Sequence, residues 1–130
     1  MPTTVPAVKT LESLLAERPD LVVTPFQRRV YNALLQIPAG SVTTYAALAA
    51  SIGCRSPRAV GQALRCNPLA PAVPCHRVVR SDLTLGGYMG CTDGEALAKK
   101  VRLLEVEGVA VRDGKISEPR RVVVTPASFI

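Results

Sequence analysis

Apolar residues recur at helical spacing in several short stretches of the chain. Residues 10–18 read TLESLLAER, an amphipathic helix closed by Pro19-Asp20. Thr24 followed by Pro25 is a helix start, a capping hydroxyl with proline in the first turn. From there Phe26, Val30, Ala33, Leu34 and Ile37 keep to one face until Pro38-Ala39-Gly40 ends the run. Ser41-Val42-Thr43 suits a short strand, and Thr43 or Thr44 then caps a third helix over 45–52, stopped by Gly53. Pro57 opens a fourth helix through Arg65, ended by Asn67-Pro68. Helix, glycine turn, helix is the helix-turn-helix layout, and its second helix carries Arg58, Gln62 and Arg65.

The second half is less regular. Pro68, Pro71 and Pro74 predict an extended, stiff connection over 69–73. Val78-Val79 suits a brief strand, and 86–94 is a loop with four glycines. Residues 95–107 predict the last helix, with Leu97, Val101 and Leu104 inward and Gly108 at its C-terminal cap. A hairpin follows, 109–112 against 115–116 across Asp113-Gly114. Residues 1–9 read as loose, and 117–130 receive no assignment. The pattern is mainly α with short β elements.

With 130 residues and no internal repeat, one domain is expected. Apolar content of 48% against 20% charged suits an ordinary folded globule. No apolar run approaches the ~20 residues of a membrane span, and the first ten residues lack a signal-peptide layout. An intracellular protein is expected, nuclear in a eukaryote and cytoplasmic in a prokaryote. The net charge of +6 matters less than its distribution. Between Leu21 and Ser81 there is no Asp or Glu, while Arg28, Arg29, Arg55, Arg58, Arg65, Arg77 and Arg80 fall within that stretch. Solvated faces usually mix both signs. A polyanionic partner accounts for the segregation through phosphate neutralisation; plain surface arginine is the alternative.

Cys54, Cys66, Cys75 and Cys91 are dispersed, with no CxxC pair. Free thiols in a reducing compartment are expected, and buried packing for the three cysteines other than Cys75. With one histidine, a zinc site would need three of these cysteines, so no metal site is expected. Chemistry concentrates in Pro74-Cys75-His76-Arg77-Val78. Thiolate is the reactive form of cysteine, and a neighbouring imidazole with Arg77 and Arg80 nearby would lower its pKa. On spacing alone, a structural cysteine beside a surface histidine explains the pair equally well.

Pro-Cys-His-Arg-Val, preceded by Arg58-Ala59-Val60-Gly61 and Asn67-Pro68, resembles the signature of the O6-alkylguanine–DNA alkyltransferases. Matching features run from Pro25-Phe26-Gln27 through Tyr45 and Gly87-Tyr88 to Leu103-Leu104 and Glu107-Gly108, about two-thirds of the chain in the family's order. The resemblance implies a winged-helix-like helix-turn-helix domain of the family's C-terminal type over 25–116. A 1–24 extension precedes it and a 117–130 tail follows. The family's N-terminal domain is then absent or reduced to one helix.

It also implies the chemistry. Cys75 is the alkyl acceptor, and His76 with Glu107 forms a relay through water that draws off its proton. Asn67 orders the segment, and Tyr45 helps rotate the target nucleotide and protonates the leaving guanine. Arg58 fills the gap left by the flipped base. Gln62, Arg65, Ala59 and Gly61 belong to the DNA-binding helix, which lies in the minor groove. Tyr88, Met89, Pro74 and Val78 wall the pocket. The partner is double-stranded DNA carrying O6-alkylguanine, met by a monomer that could bind cooperatively, and no cofactor is required. The product thioether offers water no leaving group, so each molecule reacts once.

Residue types alone leave each assignment open. Glu107 shares a stripe with Leu97, Val101 and Leu104, yet sits at a helix C-terminus, where a negative charge is unfavourable by about 0.3–1 kcal/mol. A rim acid reaching to solvent is its alternative. Arg58 could contact phosphate, Asn67 could simply end a helix, and Tyr45 could be core. The glycine loop departs from the family where Met89 follows Tyr88, since small residues are usual there. Bulky benzyl-type substrates are expected to react poorly for that reason. The link over 91–98 is also longer than usual.

Three other functions compete. Alkyltransferase-like proteins hold the flipped lesion and recruit other factors, but replace the acceptor cysteine, typically with tryptophan. A sequence-specific helix-turn-helix regulator would explain the charge but not Cys75-His76. A thiol hydrolase lacks an oxyanion site here.

Overall fold

The computed structural model describes residues 10–122; residues 1–9, expected to be loose, and 123–130 of the C-terminal stretch lie outside the described residues. Among the described residues five α-helices form: α1 (Leu11–Ala16), α2 (Pro25–Leu34), α3 (Tyr45–Ser51), α4 (Pro57–Arg65) and α5 (Gly94–Val106). Each begins where a side-chain oxygen accepts an otherwise unpaired amide: Thr10, Thr24, Thr44, Ser56 and Asp93 receive the N–H three residues on. At α2 the cap is reciprocal, because Gln27 Oε1 accepts the Thr24 N–H at 2.9 Å. Such caps are worth about 1 kcal/mol each.

Among the described residues four strands form, each two residues long. β1 (Thr43–Thr44) and β2 (Val78–Val79) pair in parallel, and β3 (Val111–Arg112) and β4 (Lys115–Ile116) form the expected hairpin. Asp113 at φ 52° and Gly114 at φ 72° make its tight turn. The first strand lies later than the expected Ser41-Val42-Thr43, because its partner Val78-Val79 meets Thr43 and Thr44. Val42 instead bridges Val122, with the Val42 N–H donating to Arg121 O at 2.9 Å. Residues 117–122, unassigned from the sequence, thus close onto the fold through a single 3₁₀ turn at Pro119–Arg121.

The core has two parts. The larger gathers α1–α4 with Val73, Cys75, Val78 and Tyr88; the smaller holds Val42, Val79, Leu85, Leu104, Val109 and Ile116. Successive strand residues face opposite ways, so Val78 enters one part and Val79 the other. Tyr31 is fully buried and donates its hydroxyl to Ala63 O at 2.7 Å, pinning α2 to α4.

The helix-turn-helix is α3–α4. Gly53 at φ 70° ends α3, with Gly53 N–H on Ala50 O and Cys54 N–H on Ala49 O. This glycine-dependent arrangement satisfies the helix's last carbonyls. The same arrangement ends α5, with Gly108 at φ 87° and bonds from Gly108 to Glu105 and from Val109 to Leu104. It makes Glu107 the C-cap residue.

Three expectations fail. The proline segment 69–73 is not extended but folds back in turns, with Val73 N–H on Leu69 O at 3.0 Å. The cause is Asn67, whose side chain accepts from Leu69 N–H at 3.0 Å and donates to Val73 O at 2.9 Å. On α5, Leu97 and Val101 are only half-buried, while Lys100 between them is completely buried. Cys66 and Cys91 are exposed and Cys54 half-buried, so none of the three is the buried packing residue expected.

Candidate active site

Cys75 opens a 3₁₀ turn, Cys75–Arg77, that runs directly into β2. The strand pairing fixes one end of this turn and Asn67 fixes the other through Val73. Cys75 is 6% exposed, and burial pushes its thiol above the ordinary value. A hydrogen bond from Asn67, the charge of Lys100 and its own amide oppose burial without overcoming it. The neighbouring imidazole and arginines predict a lowered pKa, and burial reverses that sign. The resting group is a thiol.

His76 is 2% exposed, and its Nε2 lies 3.0 Å from Glu107 Oε2. Arg77 grips the same carboxylate with both arms, Nε to Oε1 at 2.9 Å and NH2 to Oε2 at 2.6 Å. Its remaining NH1 donates to Ile37 O at 2.6 Å. Burial disfavours the Glu107 charge, but the hydrogen bonds from Arg77 and His76 outweigh it and hold the carboxyl below its ordinary value. For His76, burial outweighs the upward pull of Glu107, so the ring is held below 6.5 and is neutral at pH 7. A carboxylate accepts only, so Nε2 carries the proton and Nδ1 is the basic nitrogen. Nδ1 is buried and has no hydrogen-bond partner among the described residues.

In front of Cys75 is a cavity of about 540 Å³. Tyr45, Arg58, Gly61, Gln62, Arg65, Tyr88 and Met89 line it together with Cys75, as do Arg80, Thr92 and the loop glycines 86, 87 and 90. Val60, Ala63 and Leu64 bury one face of α4, which leaves Arg58, Gln62 and Arg65 exposed on the other. Tyr45, first residue of α3, meets the loop at Gly86, where a side chain would stand 3.3 Å from the Tyr45 hydroxyl. Burial and the nearby Cys75 raise the Tyr45 pKa against the pull of Arg80, so its phenol keeps its proton.

Not every expected site residue lines the cavity. Asn67, His76 and Glu107 stand behind Cys75, and Ala59 is half-buried on α4. Pro74 and Val78, expected as pocket walls, are buried and do not line it: Pro74 caps the 3₁₀ turn and Val78 is core. Two residues were missed. Arg77 is the clamp on Glu107 rather than a free positive field. Lys100 reaches three carbonyls, Val78 O at 2.8 Å, Gly87 O at 3.0 Å and Leu85 O, using all its donors to tie β2 to the glycine loop. Burial lowers its pKa to about 8. Its signal was a lysine inside the apolar stripe Leu97–Leu104.

Known proteins resemble this chain in sequence and in fold. A methylated-DNA–protein-cysteine methyltransferase of Methanothermobacter thermautotrophicus is 47% identical over 88 residues, covering 68% of this chain and 47% of the relative. One from Archaeoglobus fulgidus is 44% identical over 90 residues, covering 68% and 60%. The chain thus spans roughly half the length of these relatives. Among solved structures, Mycobacterium tuberculosis OGT in complex with DNA aligns at TM-score 0.61 and 44% identity, covering 68% of this chain and 52% of that one. S. pombe Atl1 in complex with DNA containing O6-carboxymethylguanine aligns at TM-score 0.68 and 28% identity, covering 79% and 98%. Residues 25–109 match the family model for the DNA binding domain of 6-O-methylguanine DNA methyltransferase. By that match this chain belongs to the 6-O-methylguanine DNA methyltransferase family.

Proposed function

We propose that the protein repairs DNA by direct reversal, moving the alkyl group of an O6-alkylguanine onto Cys75 in a single irreversible turnover. The observation that carries this reading is Cys75 itself: its sulfur faces a basic-rimmed cavity while a neutral histidine, oriented by a carboxylate, stands behind it.

The substrate carbon lies inside the base stack, so the nucleotide must be extruded at a cost of a few kcal/mol. Helix α4 enters the minor groove, Arg58 takes the vacated place in the stack, and Tyr45 guides the nucleotide. The Cys75 proton passes through a water to His76 Nδ1, and Glu107 stabilises the imidazolium that forms. Sγ attacks the alkyl carbon in line, the S–C bond forms, and the C–O6 bond breaks with its electron pair on the guanine. The Tyr45 hydroxyl protonates that base and regains a proton from solvent, while the His76 imidazolium gives its proton up to solvent. Normal guanine returns to the duplex, and the protein keeps a thioether. No cofactor takes part, and the protein acts as an intracellular monomer.

Lesion binding without transfer is the second reading. The near-complete coverage of the Atl1 chain favours it; a cysteine in the cavity wall, followed in the chain by a histidine that a carboxylate orients, argues against it. Intact-protein and peptide masses after mixing with duplex DNA bearing one O6-methylguanine decide between them. A gain of one methyl at Cys75, absent in Cys75→Ser, is expected; tight binding with no mass gain would establish the second reading.

A further inference from the structure

Arg80 stands immediately after β2 and has no part in the steps above. Its backbone is held in a tight turn, with its N–H donating to Thr84 O at 2.9 Å and its carbonyl accepting from Leu83 N–H at 2.8 Å. The 3₁₀ turn of Cys75 and β2 form one continuous segment, so this turn fixes Arg80 relative to the acceptor. The Arg80 side chain is exposed and lines the cavity together with Cys75 and Tyr45. Among the described residues it makes no hydrogen bond or ion pair, whereas Arg77 and Arg121 are both committed. Asp82 feels its charge, but Oδ1 of that residue is taken by the Thr84 N–H at 3.0 Å and the Thr84 hydroxyl at 2.6 Å.

Gly86 brings this cation to a particular group. A Cβ there would stand 3.3 Å from the Tyr45 hydroxyl and 3.6 Å from Arg80 Cγ, so the phenol and the arginine stem converge on one glycine. Arg58 and Arg65 line the same cavity from α4, with Cys75 and Tyr88. Burial and the neighbouring Cys75 push the Tyr45 pKa up, and Arg80 is the cation that pulls it down. Giving its proton to the departing guanine turns Tyr45 into a phenolate at a half-buried position, where an uncompensated charge is costly. We propose that Arg80 is a positioning residue for the transfer step, its guanidinium stabilising the Tyr45 phenolate until solvent restores the proton. The Tyr45 O–H bond breaks as an N–H bond forms on the guanine, and Arg80 itself exchanges no proton. The proposal rests on Cys75 as acceptor and Tyr45 as proton donor.

The test uses the full chain with Arg80→Met and Arg80→Lys, each alone and combined with Tyr45→Phe. Single-turnover adduct formation is followed by intact mass at saturating duplex carrying one O6-methylguanine, and affinity for that duplex is measured separately. Arg80→Met should slow the saturated rate by about three- to tenfold, a fraction of what a positioned proton donor supplies. Arg80→Lys should restore most of that loss. Combined with Tyr45→Phe, neither change should slow transfer further, because the group through which Arg80 acts is gone. Titration of isotope-labelled Tyr45 by NMR in the free protein should show its pKa raised by Arg80→Met and restored by Arg80→Lys. Weaker affinity with an unchanged saturated rate would make Arg80 a phosphate contact and overturn the proposal. A full further loss in the Tyr45→Phe background would overturn it too, as would a Tyr45 titration that Arg80→Met leaves unmoved. These results leave transfer to Cys75 standing; no adduct with the unaltered protein would instead overturn the acceptor reading itself.

Discussion

His76 Nε2 lies 3.0 Å from Glu107 Oε2, and this contact joins the turn after Cys75 to the C-terminal cap of α5, 31 residues further along. Its geometry decides the protonation of the ring. With Nε2–H committed to the carboxylate, Nδ1 is the nitrogen left to take a proton.

Acid should destabilise the protein through this pair. His76 in the fold titrates below its ordinary 6.5 and Glu107 below its ordinary 4.5, so both hold fewer protons folded than unfolded. Stability from each is therefore complete above the ordinary value and lost as pH falls through the folded one. Melting temperature should start to fall below pH 6.5 and fall further below 4.5. A His76→Gln variant should lack the upper part of that decline, as thermal melts across neutral and acidic buffers would reveal.

Replacing Glu107 by Gln removes the charge that stabilises imidazolium while keeping the side chain's shape. Single-turnover methyl transfer should slow by about 10²-fold or more, the usual range for a lost proton-transfer partner. Affinity for lesion DNA, measured separately, should change far less.

The buried, protonated thiol of Cys75 should resist a small alkylating reagent. At neutral pH iodoacetamide should label the exposed Cys66 and Cys91 before Cys75, by peptide mass. Labelling of Cys75 should quicken as pH rises, since only its thiolate reacts.

Much of the helical framework was legible in the sequence because its starts are local events. Thr24-Pro25 and Pro57 announce α2 and α4 without reference to the rest of the chain. Gly53 and Gly108 announce helix ends in the same way. What was hidden depends on partners distant in sequence or on burial. The prolines between Asn67 and Cys75 suggested a straight segment, but two bonds from one asparagine bend it. A lysine is ordinarily read as exposed, yet three carbonyls from two separate segments satisfy Lys100 in the core. The Cys75-His76 pair and Glu107 stood out as residue types and positions. The sign of the thiol's shift did not, because it follows from burial that no local pattern records.

Asn67→Ala should test that bend. It leaves Val73 O and Leu69 N–H without their buried partner, which costs about 1–3 kcal/mol for an unsatisfied group. A lower denaturant midpoint is expected, together with slower transfer, because the segment it orders carries Cys75.

The most direct test of the central claim is stoichiometry. A fixed amount of protein is titrated with a growing molar excess of duplex carrying one O6-methylguanine, and restored guanine is counted. The account predicts a plateau at one guanine per protein molecule, with methyl-Cys75 rising in step. Repair that continues past one per molecule, or guanine restored while Cys75 stays unmodified, would contradict it.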